Sequence, residues 1–209
     1  MSQVAYLPPT GKRERTKVAN RQAILDAARQ VFGELGYEAA TVRDIIRRTG
    51  LASGTFYNYY RSKEEVFEAL ADDGARRFRP ILREQFDAAP DFPTYLRGAV
   101  RAYFQFLSDE HETWQARRPA GERQPHMQVE TPEMHRVFEE VRDSFVAAMQ
   151  RGDAPRVDAD YLAASAIAVA REIGQLMLER RPIDIEAATD FAVSFILGGV
   201  PALPRQTTS

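Results

Sequence analysis

Apolar residues recur with the period of an α-helix along almost the whole chain. In the first clear segment they follow the positions i, i+4, i+7, i+8 and i+11, as one face of a helix requires. They are Ile24, Ala28, Val31, Phe32 and Leu35. No segment shows the sustained alternation, rich in β-branched and aromatic residues, that is typical of strands. The pattern predicts an all-α fold of about nine helices.

Capping residues place three helices in the first part of the chain. A first helix is expected over residues 16–35, ended by Gly36. Thr41 can cap a second, with Asp44 returning a hydrogen bond in a variant of the capping box. Ser53 can cap a third, which should end near Tyr60. These elements form a compact three-helix head.

Longer helices follow the head. Ser62 and Glu65 have capping-box spacing and open a fourth helix, which Pro80 should kink or end. Further helices are expected at residues 92–108, 110–117, 132–150, 159–180 and 185–198. We divide the chain into a flexible basic arm (1–15), the three-helix head (16–78) and a larger helical body (79–209).

Charge is distributed unevenly along the chain. The net charge is only -2, yet residues 1–63 carry 11 Lys and Arg against 5 Asp and Glu, while the remainder carries 17 against 25. A basic front on an acidic body favours a head that binds a polyanion. Cysteine is absent, which excludes disulfides and thiolate metal sites.

The apolar runs at residues 162–170 and 191–203 are shorter than the roughly 20 residues that span a bilayer. The first residues also lack the apolar region of a signal peptide. We therefore expect a cytoplasmic protein without a membrane partner.

Residues 41–60 fit a helix-turn-helix, two short helices joined by a turn at Gly50. If Phe56 and Tyr60 point inward, a step of about 100° per residue directs Gly54 and Asn58 outward. Thr55 and Tyr57 flank them. An Asn side chain can pair with adenine, Gly permits close approach of the backbone, and hydroxyl groups can donate to phosphates.

Residues 54–65, GTFYNYYRSKEE, closely resemble the recognition-helix signature of the TetR family of transcriptional regulators. The resemblance covers residues 18–78 and includes Val31-Phe32, Gly36-Tyr37, residues 41–45 and Gly50. It implies DNA contacts from eight positions. They are Arg43, Ser53, Gly54, Thr55, Tyr57, Asn58, Tyr59 and Lys63.

For the body, the resemblance implies a homodimer on a pseudo-palindromic operator, paired through the last two helices, and a cavity for a small-molecule effector. Candidate lining residues are Phe78, Tyr95, Tyr103, Phe104, His111, Trp114, Arg117, Met134 and Phe138. The large apolar side chains among them favour a mainly apolar ligand, which His111 and Arg117 could orient. The expected function is a non-enzymatic, cofactor-free repressor that this ligand releases from DNA, and an activator is the other possibility within the family.

Parts of the sequence also fit other functions. His111, His126 and His135 would be the ligands of a metal-responsive regulator. The segment from His111 to Gln115 begins like a zinc-protease motif but lacks its second histidine. A helical interaction module without catalysis is a third possibility, with a head that binds protein or RNA.

Overall fold

The computed structural model describes residues 11–115 and 131–205; for residues 112–115 it describes the backbone alone. Within these residues it has eight α-helices, one 3₁₀-helix and no strand. The helices are α1 (Lys12–Leu35), α2 (Val42–Thr49), α3 (Ser53–Tyr57), α4 (Lys63–Ala88), α5 (Phe92–Gln115), α6 (Pro132–Arg151), α7 (Ala159–Glu179), α8 (Ile185–Gly199) and η1 (Val200–Ala202). The all-α prediction is confirmed.

Local capping signals located most helix starts correctly. The side chains of Thr41, Thr131, Asp158 and Asp184 each accept a hydrogen bond from a backbone N–H in the first turn that follows. Ser53 is the exception, because it is the first residue of α3 and the N-cap is Ala52, which makes no side-chain bond.

Two predicted breaks do not occur. Helix α4 continues past Pro80 to Ala88, so the proline does not end it. Residues 92–108 and 110–117 were expected to form two helices, but α5 runs without interruption to Gln115. Glu110 lies inside α5 and receives two hydrogen bonds from Arg77 of α4, at 2.7 and 3.0 Å. This pairing lies where the sequence suggested an interruption.

The chain forms two compact units that divide between Leu70 and Ala71, within α4. The head unit has its own core, centred on Ile24, Val31, Ile45, Phe56 and Val66. The body unit has a separate core, in which Phe104, Phe145, Ala163 and Ala192 are almost fully buried. Each unit therefore has the packed interior that fixes its own surface.

Helix α8 is unusually apolar. Ile185–Ala202 is long and apolar enough to cross a membrane by composition, with a mean hydropathy of 1.3, and 28% of this window is buried within the chain. The expectation from sequence considered only residues 191–203 and missed this longer window. Part of α8 packs in the body core, and large apolar side chains on its other face, Phe191 and Phe195, are exposed.

Candidate DNA-binding surface

Helix α2 is fixed at both ends. The Thr41 N–H donates to Asp44 Oδ2 at 3.1 Å and the Asp44 N–H donates to Thr41 Oγ1 at 3.3 Å, forming the expected capping box. The side-chain hydrogen bond from Thr41 is the main reason that the pKa of Asp44 is lowered. Gly50 ends α2 with φ of +67°, in the left-handed region that favours glycine.

The turn after α2 leads into α3, whose inward-facing side chain is buried in the core of the head. Phe56 is completely buried and Tyr60 nearly so, as the helical geometry requires. Helix α3 ends at Tyr57, earlier than expected, but the N–H groups of Tyr59 and Tyr60 still donate to the Phe56 carbonyl at 2.9 and 3.1 Å. We call residues 53–60 the recognition segment. The buried side chains of Phe56 and Tyr60 pack this segment against the rest of the head.

The outer side of the recognition segment is open to solvent. Ser53, Gly54 and Asn58 are exposed, and the Tyr57 side chain is 54% exposed. Thr55 is half-buried. Gly54 has open space around the position of a Cβ atom, so no contact within the head requires glycine there. These residues present hydroxyl, amide and backbone groups on one surface.

Tyr59 and Lys63 have contacts within the head that the sequence did not reveal. Tyr59 is half-buried and packs against the head core. The Lys63 ammonium donates to the carbonyls of Tyr37, Glu38 and Ala40 at 3.0, 3.1 and 3.3 Å. It also lies 4.5 Å from the centre of the Tyr37 ring. Lys63 therefore joins the start of α4 to the turn between α1 and α2.

Glu64 completes this junction from the other side. The Tyr37 hydroxyl donates to Glu64 Oε1 at 3.1 Å. Burial, followed by this hydrogen bond and nearby carboxylates, raises the pKa of Tyr37 to about 12. The predicted capping box of α4 forms in part, since the Glu65 N–H donates to Ser62 Oγ at 3.3 Å while the Glu65 carboxylate accepts from the Arg61 N–H.

The arginines of α2 divide into two groups. Arg48 forms two hydrogen bonds to Glu34 at 2.8 and 2.5 Å and so fastens α2 to α1. Arg43 is exposed, and Arg47 has a side chain that is 75% exposed, with Asp44 at 3.9 Å. Arg43 and Arg47 are therefore available to an external anion, whereas Arg48 is committed to the fold.

In the body, most candidate effector residues are packed in the core. Phe104 is fully buried, and the rings of Phe78 and Tyr103 pack edge to face with centres 5.4 Å apart. Tyr95 belongs to another aromatic group, with Phe86 and Phe145. These four residues do not line either of the two grooves described below.

The remaining candidates are dispersed. His111 is buried on α5, whereas Met134 is 39% exposed on α6 and Phe138 of the same helix packs partly against the core. Arg117 and the Trp114 side chain lie outside the described residues, as does His126. His135 stacks on Phe138, and no group of three metal-ligating side chains occurs in the part of the chain that the structure describes.

Two grooves lie on the body. One, of about 630 Å³, follows α4 around Pro80 and is flanked by Arg76, Arg79 and Arg83. The other, of about 450 Å³, lies between α7, α8 and η1. Its lining includes Tyr161 and Phe195, whose side chains are 77% and 63% exposed. The second groove is thus part of a large exposed apolar surface.

Comparison with known proteins places the helix-turn-helix in a family. Residues 24–70 match the model of bacterial regulatory proteins of the tetR family. The transcriptional repressor AcnR of Corynebacterium glutamicum is 42% identical over 65 residues, which are 31% of this chain and 35% of AcnR. The chain therefore aligns with only about a third of the length of this relative.

Two further proteins align along most of the chain. The transcriptional activator FasR of Mycolicibacterium smegmatis is 27% identical over 88% of this chain and 84% of its own length. The structure of FadR from Bacillus subtilis, in complex with stearoyl-CoA, matches with a TM-score of 0.70 and 19% identity. That match covers 86% of this chain and 98% of FadR, and at this identity it shows a shared fold.

Proposed function

We propose that this chain, which belongs to the TetR family of transcriptional regulators, represses transcription by binding a pseudo-palindromic operator as a homodimer. Members of this family are regulators and not enzymes. The observation that carries the proposal is the outer surface of the recognition segment, where Gly54, Tyr57 and Asn58 are exposed above the buried Phe56. Such a helix can enter the major groove and contact base edges.

Selection of duplexes from a random library tests sequence-specific binding. We expect a short pseudo-palindrome, and footprinting should show that the full chain protects both half-sites. Asn58→Ala should change the preferred base, because an asparagine amide can pair bidentately with adenine. Arg47→Ala is the matched control and should weaken all duplexes alike, as loss of a phosphate contact would. Absence of any enriched sequence would contradict the proposal and favour an interaction module.

The proposed dimer pairs α7 and α8 of two subunits. Large apolar side chains are exposed on both helices, including Tyr161, Phe191 and Phe195. Patches of this kind are characteristic of association surfaces. A dimer also explains a pseudo-palindrome, because two heads must reach half-sites about 34 Å apart.

The proposed effector is a small, mainly apolar molecule that binds the body and weakens DNA binding. The aromatic content of the body supports this class, and the FadR neighbour binds an acyl-CoA. Stearoyl-CoA is therefore the first ligand to assay, with free coenzyme A as its control. If stearoyl-CoA releases the operator and free coenzyme A does not, the result supports an apolar effector. If both compounds release the operator, recognition is assigned to the coenzyme A group.

Activation is the second candidate function, because the FasR relative that aligns with most of the chain is an activator. A reporter controlled by the selected operator distinguishes the two. Expression of the protein should lower the reporter signal if it is a repressor, and raise it if it is an activator.

A further inference from the structure

The start of α1 is strongly basic. Lys12, Arg13, Arg15 and Lys17 are all exposed, and Glu14 is the one acidic residue in the first turn. Cations at a helix N-terminus oppose the helix dipole and therefore reduce its stability. No ion pair compensates these four residues within the described part of the chain. These four cations are therefore available to an external anion.

Helical geometry separates these cations into two groups. Arg13, Lys17 and Arg21 follow i, i+4 and i+8, so they form a stripe about 12 Å long along one side of α1. Successive members are offset by about 40°. Lys12 lies about 100° from Arg13 and about 140° from Lys17 around the helix, and Arg15 lies about 160° from both, so these two cations point away from the stripe.

The stripe meets the recognition segment at one end. Arg21 Nε donates to the Tyr60 hydroxyl at 3.2 Å. Tyr60 is itself buried beside Phe56, with ring centres 6.3 Å apart. This contact links the stripe side of α1 to the element that bears the base-reading residues, and both belong to the head unit.

We propose that Arg13 and Lys17 extend the DNA-binding surface by binding backbone phosphates beside the groove that receives the recognition segment. This inference depends on the proposed DNA-binding function. The partner is the phosphate backbone of duplex DNA, so the contacts add affinity and salt dependence without base preference. The contact between Arg21 and Tyr60 fixes the stripe relative to the recognition segment.

The test compares two double variants with equal loss of charge. Arg13→Ala with Lys17→Ala removes the stripe, whereas Lys12→Ala with Arg15→Ala removes two cations from the other side of the same turns. Affinity for the selected operator is measured across a range of salt concentrations. Each lost phosphate contact lowers the salt slope by about 0.9, so the stripe variant should lose about 1.8 per subunit, or about 3.6 for a dimer.

The control variant should retain nearly the wild-type slope, and both variants should select the wild-type base sequence. Urea unfolding should show no loss of stability in either, because both remove cations from a helix N-terminus. Equal slopes for the two variants, whether lowered or unchanged, would overturn the inference. If the wild-type protein binds no duplex at all, the proposed function itself fails, and that result is distinct from equal slopes in variants that bind.

Discussion

At the scale of single residues, Lys63 shows how a functional pattern and a structural role coincide. The sequence places it among the DNA-contacting positions, and its position in the first turn of α4 is unfavourable for the helix dipole. The structure supplies a different reason for its presence, since the ammonium donates to three carbonyls in the turn that follows α1. These acceptors are backbone atoms 23 to 26 residues away, so no local pattern could predict them.

We expect Lys63→Met to lower the free energy of unfolding by about 1.5–3 kcal/mol, the range for hydrogen bonds that involve a charged group. Arg61→Met is the control, because Arg61 is exposed two residues earlier. Urea unfolding of both variants measures the difference, and equal midpoints would contradict the structural role. A lower salt slope of DNA binding in the folded Lys63→Met variant would show that the same residue also contacts phosphate.

At the scale of secondary-structure elements, a network of ion pairs joins α4 to α6. Arg79 donates to Glu133 at 2.8 Å and to Glu140 at 2.7 Å. Arg136 also pairs with Glu133. The Glu133 side chain is 10% exposed, so water screens its pairs less than those on the open surface. This network holds the part of α4 that contains Pro80 against α6.

The network should make stability sensitive to acid. Burial raises the pKa of Glu133, but the hydrogen bond from Arg79 and the surrounding arginines outweigh it, and the pKa is lowered from its ordinary value of 4.5. A carboxylate with a lowered pKa stabilises the fold above its ordinary pKa and loses this contribution as pH falls through the folded-state value. Glu133→Gln should therefore be less stable than the wild type at pH 7, with a smaller difference at pH 3.

Glu139→Gln is the control for this prediction, because Glu139 is exposed on the same helix and its described partner is His135, at 3.4 Å. Urea midpoints between pH 7 and pH 3 measure the effect. A constant difference between Glu133→Gln and the wild type across that range would show that loss of packing, rather than charge, explains the variant.

Elements defined by nearby residues were predictable, and those defined by distant contacts were not. The caps at Thr41 and Thr131 and the buried Phe56 follow from spacing alone, because their partners lie within a few residues. Helix α5 continues through Glu110, which pairs with Arg77, 33 residues earlier, a contact that no local pattern predicts. In the recognition segment, Gly54, Tyr57 and Asn58 are exposed as the helical geometry predicts, and Thr55 is half-buried. Among the apolar effector candidates, Phe78, Tyr95 and Phe104 are buried in the core, whereas Met134 is 39% exposed.

The apolar surface of α7 and α8 leads to a prediction about assembly. Phe195→Arg places a charge at a position that is 63% exposed in one subunit and should yield a folded monomer with weak operator binding. Ala166 lies near it on α7 but is 6% exposed, so an arginine there would disturb the core of its own subunit and is a poor test. Leu35→Arg, at an exposed apolar position in the head, is the control. Sedimentation that shows an unchanged dimer for Phe195→Arg would exclude this surface.

At the scale of the whole molecule, charge differs between the first part of the chain and the rest. Residues 1–63 have an excess of basic residues, among them the exposed Arg43 and Arg47 of α2, whereas the remainder, which includes the body, has an excess of acidic residues. Such a body is repelled by DNA, so favourable approach requires the head to face the duplex. Helix α4 has residues in both units, so continuous helical backbone connects the head to the body.

This connection predicts a limit to the action of an effector. If an effector lowers operator affinity about 100-fold, reciprocity requires that it binds the operator-bound protein about 100-fold more weakly than the free protein, a coupling of about 3 kcal/mol. The apparent dissociation constant for the operator should therefore rise with effector concentration and then level off. Direct competition at the recognition segment would instead give a continuous rise, because no ternary complex forms.

Titrations of labelled operator at increasing stearoyl-CoA distinguish the two, and emission from Trp114, the only tryptophan, reports binding to the protein itself. A plateau accompanied by a change in emission supports an effector site away from the DNA-binding surface, whereas an unlimited rise would exclude coupling through α4.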